Sequence, residues 1–464
     1  MNKSNNHSGS LGILTSLFFL WGFMTVLNDV LIPHLKAVFV LSYAQSMLVQ
    51  MAFFGAYFSG ALIYYLVSIS YGDPINKIGY KHGIIVGLLL SAIGSAMFYP
   101  ATYIHTYWFY LMALYVLGLG FTILQIAANP FVAIIGNPET ASSRLNFTQG
   151  FNSLGTTLGP LVGGFLIFKF FAGNDAVKYP YLIFALIMLL LAYLISKSNL
   201  PAFKNTDKLE KGLAVLKYPQ LRYGVIAIFF YVGAEVVIGS LLISFFGLDN
   251  IAGLNENEAK TYLSLYWGGA MIGRFTGAIM LSNNHSGFKK FQQVLLSTLA
   301  GFALVFGINY FGGHLTPAIA APYLIFLAIN MAAFMLGKSL PGRTLGIFSL
   351  IIMLLLGLVI TQTGQVAFWS IIAIGLFNSI MWPNIFTLSI NGLGKFTSQG
   401  SSLLVMAIVG GALIPIFQGL LADLLATADN KDAGLQTSFV VPLVSYAYLA
   451  FYGFWVAGRK LNIQ

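Results

Sequence analysis

Apolar stretches of twenty residues or more recur along nearly the whole chain, and this feature limits its fold more than any other. That is the length a helix needs to cross a hydrocarbon core of roughly 30 Å, where every backbone N–H and C=O must be satisfied within the segment. The strands of a membrane barrel are about half as long and alternate in polarity, which these stretches do not. Hydrophobic residues make up 58% of the chain and charged residues 8%, against about 25% charged in soluble domains. The pattern predicts membrane helices near 11–34, 44–70, 83–101, 105–133, 146–172, 178–197, 222–248, 259–283, 290–311, 317–336, 344–361, 364–391, 400–426 and 437–457, fourteen in all. Residues 1–10 are polar, and the apolar stretch after them is too long for a signal-peptide core and lacks a cleavage site of small residues, so it is expected to be a retained first helix.

The net charge of +10 could suggest a nucleic-acid partner until the charges are placed along the chain. With a cytoplasmic amino terminus, the cytoplasmic segments carry seventeen Lys and Arg residues and the opposite side five, Lys36, Lys169, Lys178, Lys260 and Lys431. Such a bias predicts that both termini are cytoplasmic, and no nucleic acid is needed to account for the basic excess. The absence of cysteine removes thiol nucleophiles, disulfides and thiolate metal sites. The six histidines are scattered, and no nucleophile–base pair stands out, so an enzyme is not expected.

The charged segment from Lys197 to Arg222 separates six predicted helices from eight. The halves on either side match in order. Phe18, Phe19 and Gly22 resemble Phe229, Phe230 and Gly233 at an offset of 211, and Gly55-Ala56 resembles Gly269-Ala270 at 214. Pro130 pairs with Pro383 at 253, and Gly155, Pro160 and Gly164 pair with Gly410, Pro415 and Gly419 at 255. Repeats of this kind characterise transporters. The growth in offset implies an extra helical hairpin in the second half, placed at about 290–336 because KSLPGR (338–343) resembles the basic turn expected before the next repeated helix. Its expected position is peripheral, as structural decoration, with lipid-facing or oligomer-forming roles as alternatives. The domains are thus expected to be residues 1–197, a cytoplasmic linker at 198–221, and 222–464 including the hairpin.

Three charged side chains remain well within the predicted spans: Asp29, Glu235 and Arg274. Ionisable residues in membrane helices are costly and usually face a cavity, a partner or an ion pathway. Asp29, toward the non-cytoplasmic end of the first helix, and Glu235, midway along the seventh, are the candidates for cation coupling, Asp29 also as a Na+ ligand. The alternative for Asp29 is an interfacial carboxylate paired with Asn28 or His34. Arg274 is expected to clamp helix ends or pair across a gate.

A polyol is bound by amides and carboxylates, with aromatic faces against its C–H surface. The candidates for such a site are Asn28, Gln50, Gln125, Asn129, Gln149, Asn152 and Asn378, with Trp267 and Trp382 as stacking platforms. Asn384, Gln418, Trp21 and Tyr57 belong to the same wider set, some of which will instead join helices. Two motif matches are discarded: Asn129-Pro130 lacks the second Asn-Pro of a water channel, and GLGKFTSQGSS (392–402) is not a phosphate loop.

With these residues in view, the chain resembles the fucose/galactose/glucose:cation symporter family of the major facilitator superfamily. The stretches that carry the resemblance are FFLWGFMTVLNDVLIPHLK (18–36), LQIAANPFV (124–132), RLNFTQGFNSLGTTLGP (144–160), FFYVGAEVVIGSLL (229–242), YWGGAMIGRFTG (266–277), FNSIMWPNIFTLSI (377–390) and MAIVGGALIPIFQG (406–419). The subgroup of bacterial glucose/galactose transporters is the most similar. The resemblance implies an all-α membrane protein of two six-helix bundles plus the hairpin, and hexose:cation symport by alternating access across the inner membrane. It implies no cofactor, co-transported Na+ or H+, a monosaccharide and membrane lipid as partners, and a monomer. It makes Asp29 the acid of cation coupling and sugar binding, and Gln149 an amide of sugar recognition. Gln125 stands where the fucose:proton symporter has a glutamate, and Glu235 where it has an amide, which makes a sodium site a rival to a proton relay. Fucose or another monosaccharide with H+, and multidrug antiport, are the remaining alternatives. The loop YGDPINKIGYKHG (71–83) matches the superfamily's cytoplasmic gate motif loosely, with Asn76 where an aspartate is common.

Overall fold

The computed structural model describes residues 5–40, 48–171, 176–198, 200, 214–254, 256–282, 287–311, 317–425 and 431–456. Among them every regular element is helical. In chain order these are α1 (Asn5–Phe39), α2 (Leu48–Tyr71), α3 (Pro74–Ile78), α4 (Tyr80–Ala96), α5 (Phe98–Ile104), α6 (Tyr107–Ile134), α7 (Ala141–Phe165) and α8 (Lys178–Lys197). After the linker follow α9 (Pro219–Phe246), α10 (Glu256–Met280), α11 (Gly287–Phe311), α12 (Pro317–Leu336), α13 (Pro341–Thr361), α14 (Gly364–Asn378) and α15 (Met381–Ile390). The last are α16 (Thr397–Met406), α17 (Gly410–Leu425), α18 (Lys431–Ser438) and α19 (Val440–Phe451).

Among the described residues ten helical stretches are long and apolar enough to cross a membrane, rather than the fourteen expected. Ala320–Leu336 and Leu11–Leu27 are apolar but shorter. Helix α7 carries Arg144, Asn146, Gln149 and Asn152, and α10 carries Glu256, Glu258, Lys260 and Arg274, which lowers their hydropathy. Large apolar side chains such as Leu354 and Leu424 are exposed, as lipid contact requires.

The residues cluster into two compact units: 1–138, 151–221 and 390–409 in one, and 139–150, 222–389 and 410–464 in the other. In the first, α4 packs on α6 and α8, and α2 on α6. In the second, α13 packs on α14 and α19, and α10 on α14. The same pairing in the same order gives the sequence repeat a structural counterpart. A Cβ added at Gly155 would lie 2.2 Å from the Phe19 carbonyl oxygen, and one at Gly410 would lie 2.0 Å from that of Phe229. Each glycine therefore permits a backbone approach that any side chain would block.

Helices α11 and α12 coincide with the expected hairpin. They are held to the second unit by buried polar bonds: Thr276 to Thr298 at 3.0 Å, Asn309 to Ser264 at 3.0 Å, Tyr323 to the Leu265 carbonyl at 3.1 Å, and Asn330 to the Leu376 carbonyl at 3.3 Å. Its outer face, including Leu296 and Leu299, is exposed.

In the first unit, Asp73 caps α3, its Oδ1 accepting from the Ile75 and Asn76 backbone amides and, at 2.6 Å, from the Tyr64 hydroxyl. Asn76 donates to the Lys395 carbonyl at 2.6 Å, and the Tyr80 hydroxyl meets Ser398 at 3.1 Å. Asn76 thus uses an amide donor where an aspartate would present only acceptors.

Candidate functional site

The site in the second unit begins with a proline. Pro383 has no N–H to offer the carbonyl four residues earlier, so the carbonyl of Ser379 loses its helical partner. The helix stops at Asn378 and resumes at Met381. Arg274 donates its Nε to the Ser379 carbonyl at 3.1 Å. The expectation that Arg274 clamps a helix end thus corresponds to a particular bond, one that satisfies a carbonyl which the membrane interior cannot hydrate.

Asn378, at the end of this helix, is 1% exposed. Its Oδ1 accepts from the Tyr446 hydroxyl at 2.5 Å, its Nδ2 donates to the Tyr266 hydroxyl at 2.9 Å, and its backbone carbonyl accepts from the Tyr231 hydroxyl at 3.2 Å. Three phenols from α9, α10 and α19 therefore fix one amide from α14. Glu235 lies one turn beyond Tyr231, beside that hydroxyl and within the electrostatic reach of Arg274. The cluster thus holds a carboxylate, a balancing guanidinium and phenols that both donate and accept, a donor set suited to a polyhydroxylated molecule or a cation. Among the described residues no group of three or more His, Cys, Asp or Glu could hold a metal ion.

The sequence candidates meet different fates. Glu235 and Asn378 are brought together, and Trp267 is half-exposed against Tyr266 at a ring distance of 5.1 Å. Trp382 is buried and stacks on Phe386. Asn384 joins helices, accepting from Asn146 at 3.0 Å and donating to the Pro341 carbonyl, and Gln418 donates to Ser438. In the first unit Asn152 donates to the Phe18 carbonyl at 3.0 Å, and Asn129 to the Gln125 carbonyl at 3.2 Å. Trp21 donates to the Tyr57 hydroxyl at 3.3 Å, and that hydroxyl also faces Gln125 and Thr25. Gln149 is buried in the second unit, and Gln50 is half-buried in α2. The side chains of Asn28 and Asp29 lie outside the described residues, although the backbone of both belongs to α1. Tyr231, Tyr266 and Tyr446 were not singled out from the sequence. The chain has 24 tyrosines, and only the one-turn spacing of Tyr231 and Glu235 marks any of the three.

A polytopic helical membrane protein with a repeated helix order and a buried polar cluster in one half is a transporter by architecture. The model of the Major Facilitator Superfamily matches residues 13–341. The glucose/galactose transporter of Brucella abortus (strain 2308) is 41% identical, covering 97% of this chain and 95% of the relative. The L-fucose-proton symporter of Escherichia coli (strain K12) is 29% identical, covering 96% of this chain and 93% of the relative. The crystal structure of the transporter FucP in its outward conformation aligns with a TM-score of 0.74 at 28% identity, over 97% of this chain and 99% of that one. The chain belongs to the major facilitator superfamily and, within it, to the fucose/galactose/glucose:cation symporter family. Its relatives are transporters, and it is a multi-pass membrane transporter rather than an enzyme.

Proposed function

We propose that the protein is a hexose:cation symporter, taking glucose, galactose or a mannose-like sugar with Na+ or H+ across the inner membrane by alternating access. The observation that carries this reading is the half-buried Glu235 beside the tyrosine-held Asn378, and the name of the 41% identical relative supports the substrate class. The working halves are residues 1–197 and 222–464, joined by the linker at 198–221, with fourteen membrane spans once α11 and α12 are counted, and both termini in the cytoplasm. Glu235 and Asp29 serve cation coupling, Asp29 also as a Na+ ligand, and the amide and aromatic candidates named above contribute to the sugar path. The active unit is a monomer. A second reading, fucose or another monosaccharide with H+, is favoured by the likeness to the fucose symporter.

Radiolabelled glucose uptake into proteoliposomes tests this reading, with either an inward Na+ gradient at constant pH or an inward proton gradient without Na+. Accumulation under one gradient is expected and identifies the ion. Accumulation of fucose but not glucose would favour the second reading, and no accumulation of any monosaccharide would overturn both.

A further inference from the structure

A cavity of about 280 Å³ lies in the second unit, with neither Glu235 nor Asn378 among its walls, between the loop after α9 and the first turns of α10, α12 and α14; its walls include Leu254, Tyr262, Pro322, Gln365, Phe368 and Trp369. The rings form a tight aromatic group: Tyr262 and Phe368 have centroids 4.8 Å apart and Phe368 and Trp369 5.4 Å, both pairs nearly perpendicular. Trp369 donates its indole N–H to the Gln365 Oε1 at 3.0 Å, which leaves Nε2 as the donor end of that amide. The frame is held by amides. The Gly364 N–H donates to the Asn250 carbonyl at 2.9 Å, Asn250 donates to the Gln436 Oε1 at 3.0 Å, and the buried Gln436 donates to the carbonyls of Val359 and Gln362.

We infer that this cavity is a second, peripheral monosaccharide site at the non-cytoplasmic end of the second half, completed by Pro322 of the inserted hairpin. The argument is chemical. A pyranose offers an apolar C–H face to aromatic rings and a rim of hydroxyls to an amide, and Tyr262, Trp369 and Gln365 supply both surfaces. The volume falls just below the roughly 300–1,000 Å³ of sites for drug-sized ligands, so a single sugar ring is the fitting size. Walls held by the Gly364–Asn250–Gln436 hydrogen bonds lower the ordering cost of binding. The inference rests on the proposed sugar transport only for the identity of the ligand.

Because the chain has no cysteine, Ala252→Cys at the cavity wall introduces a single thiol for maleimide labelling of the full-length protein in nanodiscs. Saturating glucose is expected to slow labelling several-fold. Protection should persist in the Glu235→Gln background and vanish with Gln365→Ala. Absence of protection by glucose, galactose or fucose overturns the inference, as does protection lost with Glu235→Gln, which would mark a conformational signal from the central cluster. Protection that survives Gln365→Ala also overturns it. Uptake by the Ala252→Cys protein, measured in parallel, reports separately on the transport reading.

Discussion

The stretches QIAANP (125–130) and NSIMWP (378–383) occupy matching places in the two halves, each an amide five residues before a proline. Their surroundings differ. Around Pro130 the helix runs without interruption from Tyr107 to Ile134, whereas before Pro383 it breaks after Asn378. At the repeat offset of 214, Arg274 corresponds to Gly60, so only the second half has a guanidinium at this place to receive the freed carbonyl. The amides differ accordingly. Asn378 is held by three phenols, while Gln125 faces one, Tyr57, which is shared with Trp21. Two copies of one motif have thus become a rigid, charge-bearing station and a more loosely tied one.

The largest effect is expected from Glu235→Gln, which removes the described carboxylate nearest the station. Gradient-driven accumulation should disappear while sugar counterflow persists, as measured in proteoliposomes; unchanged accumulation would detach coupling from the second half. Next comes Asn378→Ala, which strips the amide partner from two buried phenols, Tyr266 and Tyr446, and leaves the backbone carbonyl to Tyr231. At about 1 kcal/mol for each of the two lost hydrogen bonds, sugar affinity should fall by roughly thirtyfold, against a smaller loss for Gln125→Ala. Equal losses in a binding assay would break the asymmetry between the halves. A double-mutant cycle sharpens it further. Arg274→Ala should lower the Tm by leaving the Ser379 carbonyl unpaired, and adding Pro383→Ala should recover part of that loss by restoring a backbone donor. No recovery would mean that Arg274 acts only through its charge. Tyr57→Phe should cost about 0.6 kcal/mol, the average for a hydrogen bond between membrane helices, and so weaken binding only a few-fold.

The smallest effect concerns Asp73, outside the spans. Burial lifts its carboxyl above the usual carboxylate range, and the Tyr64 hydrogen bond opposes this. The folded state therefore holds this proton more tightly than the unfolded chain does. The resulting stabilisation is present below the unfolded pKa and is lost as pH rises through the raised folded value. Tm measured across mildly acidic pH should rise on acidification in the parent protein, with that slope reduced in Asp73→Asn.

Much of this fold could be read from residues. The apolar lengths predicted helices, the drift in repeat offset called for an extra pair of them, and Arg274, stranded in an apolar run, pointed to a helix clamp or a gate partner. The Tyr446–Asn378–Tyr266 cluster could not be read, because its members are far apart in sequence and phenols are common along the chain. Nor could the fate of individual amides. Asn152, Asn378 and Asn384 look alike as residues in helices, and only packing decides that one meets the Phe18 carbonyl, another three phenols, and the third Asn146. The membrane count fell short of expectation for a related reason, since helices bearing such amides are less apolar than a hydropathy window demands.

The polar bonds of the inserted hairpin bear on biosynthesis. Thr298 and Asn309 find their partners on α10, which precedes them in the chain, so α11 can dock as it leaves the ribosome. Tyr323 likewise finds the Leu265 carbonyl already made. Asn330, however, bonds the Leu376 carbonyl, which is synthesised some forty-six residues later. Until α14 arrives, that amide enters the bilayer without its final partner, which makes its closure onto α14 a late step in the assembly of this half.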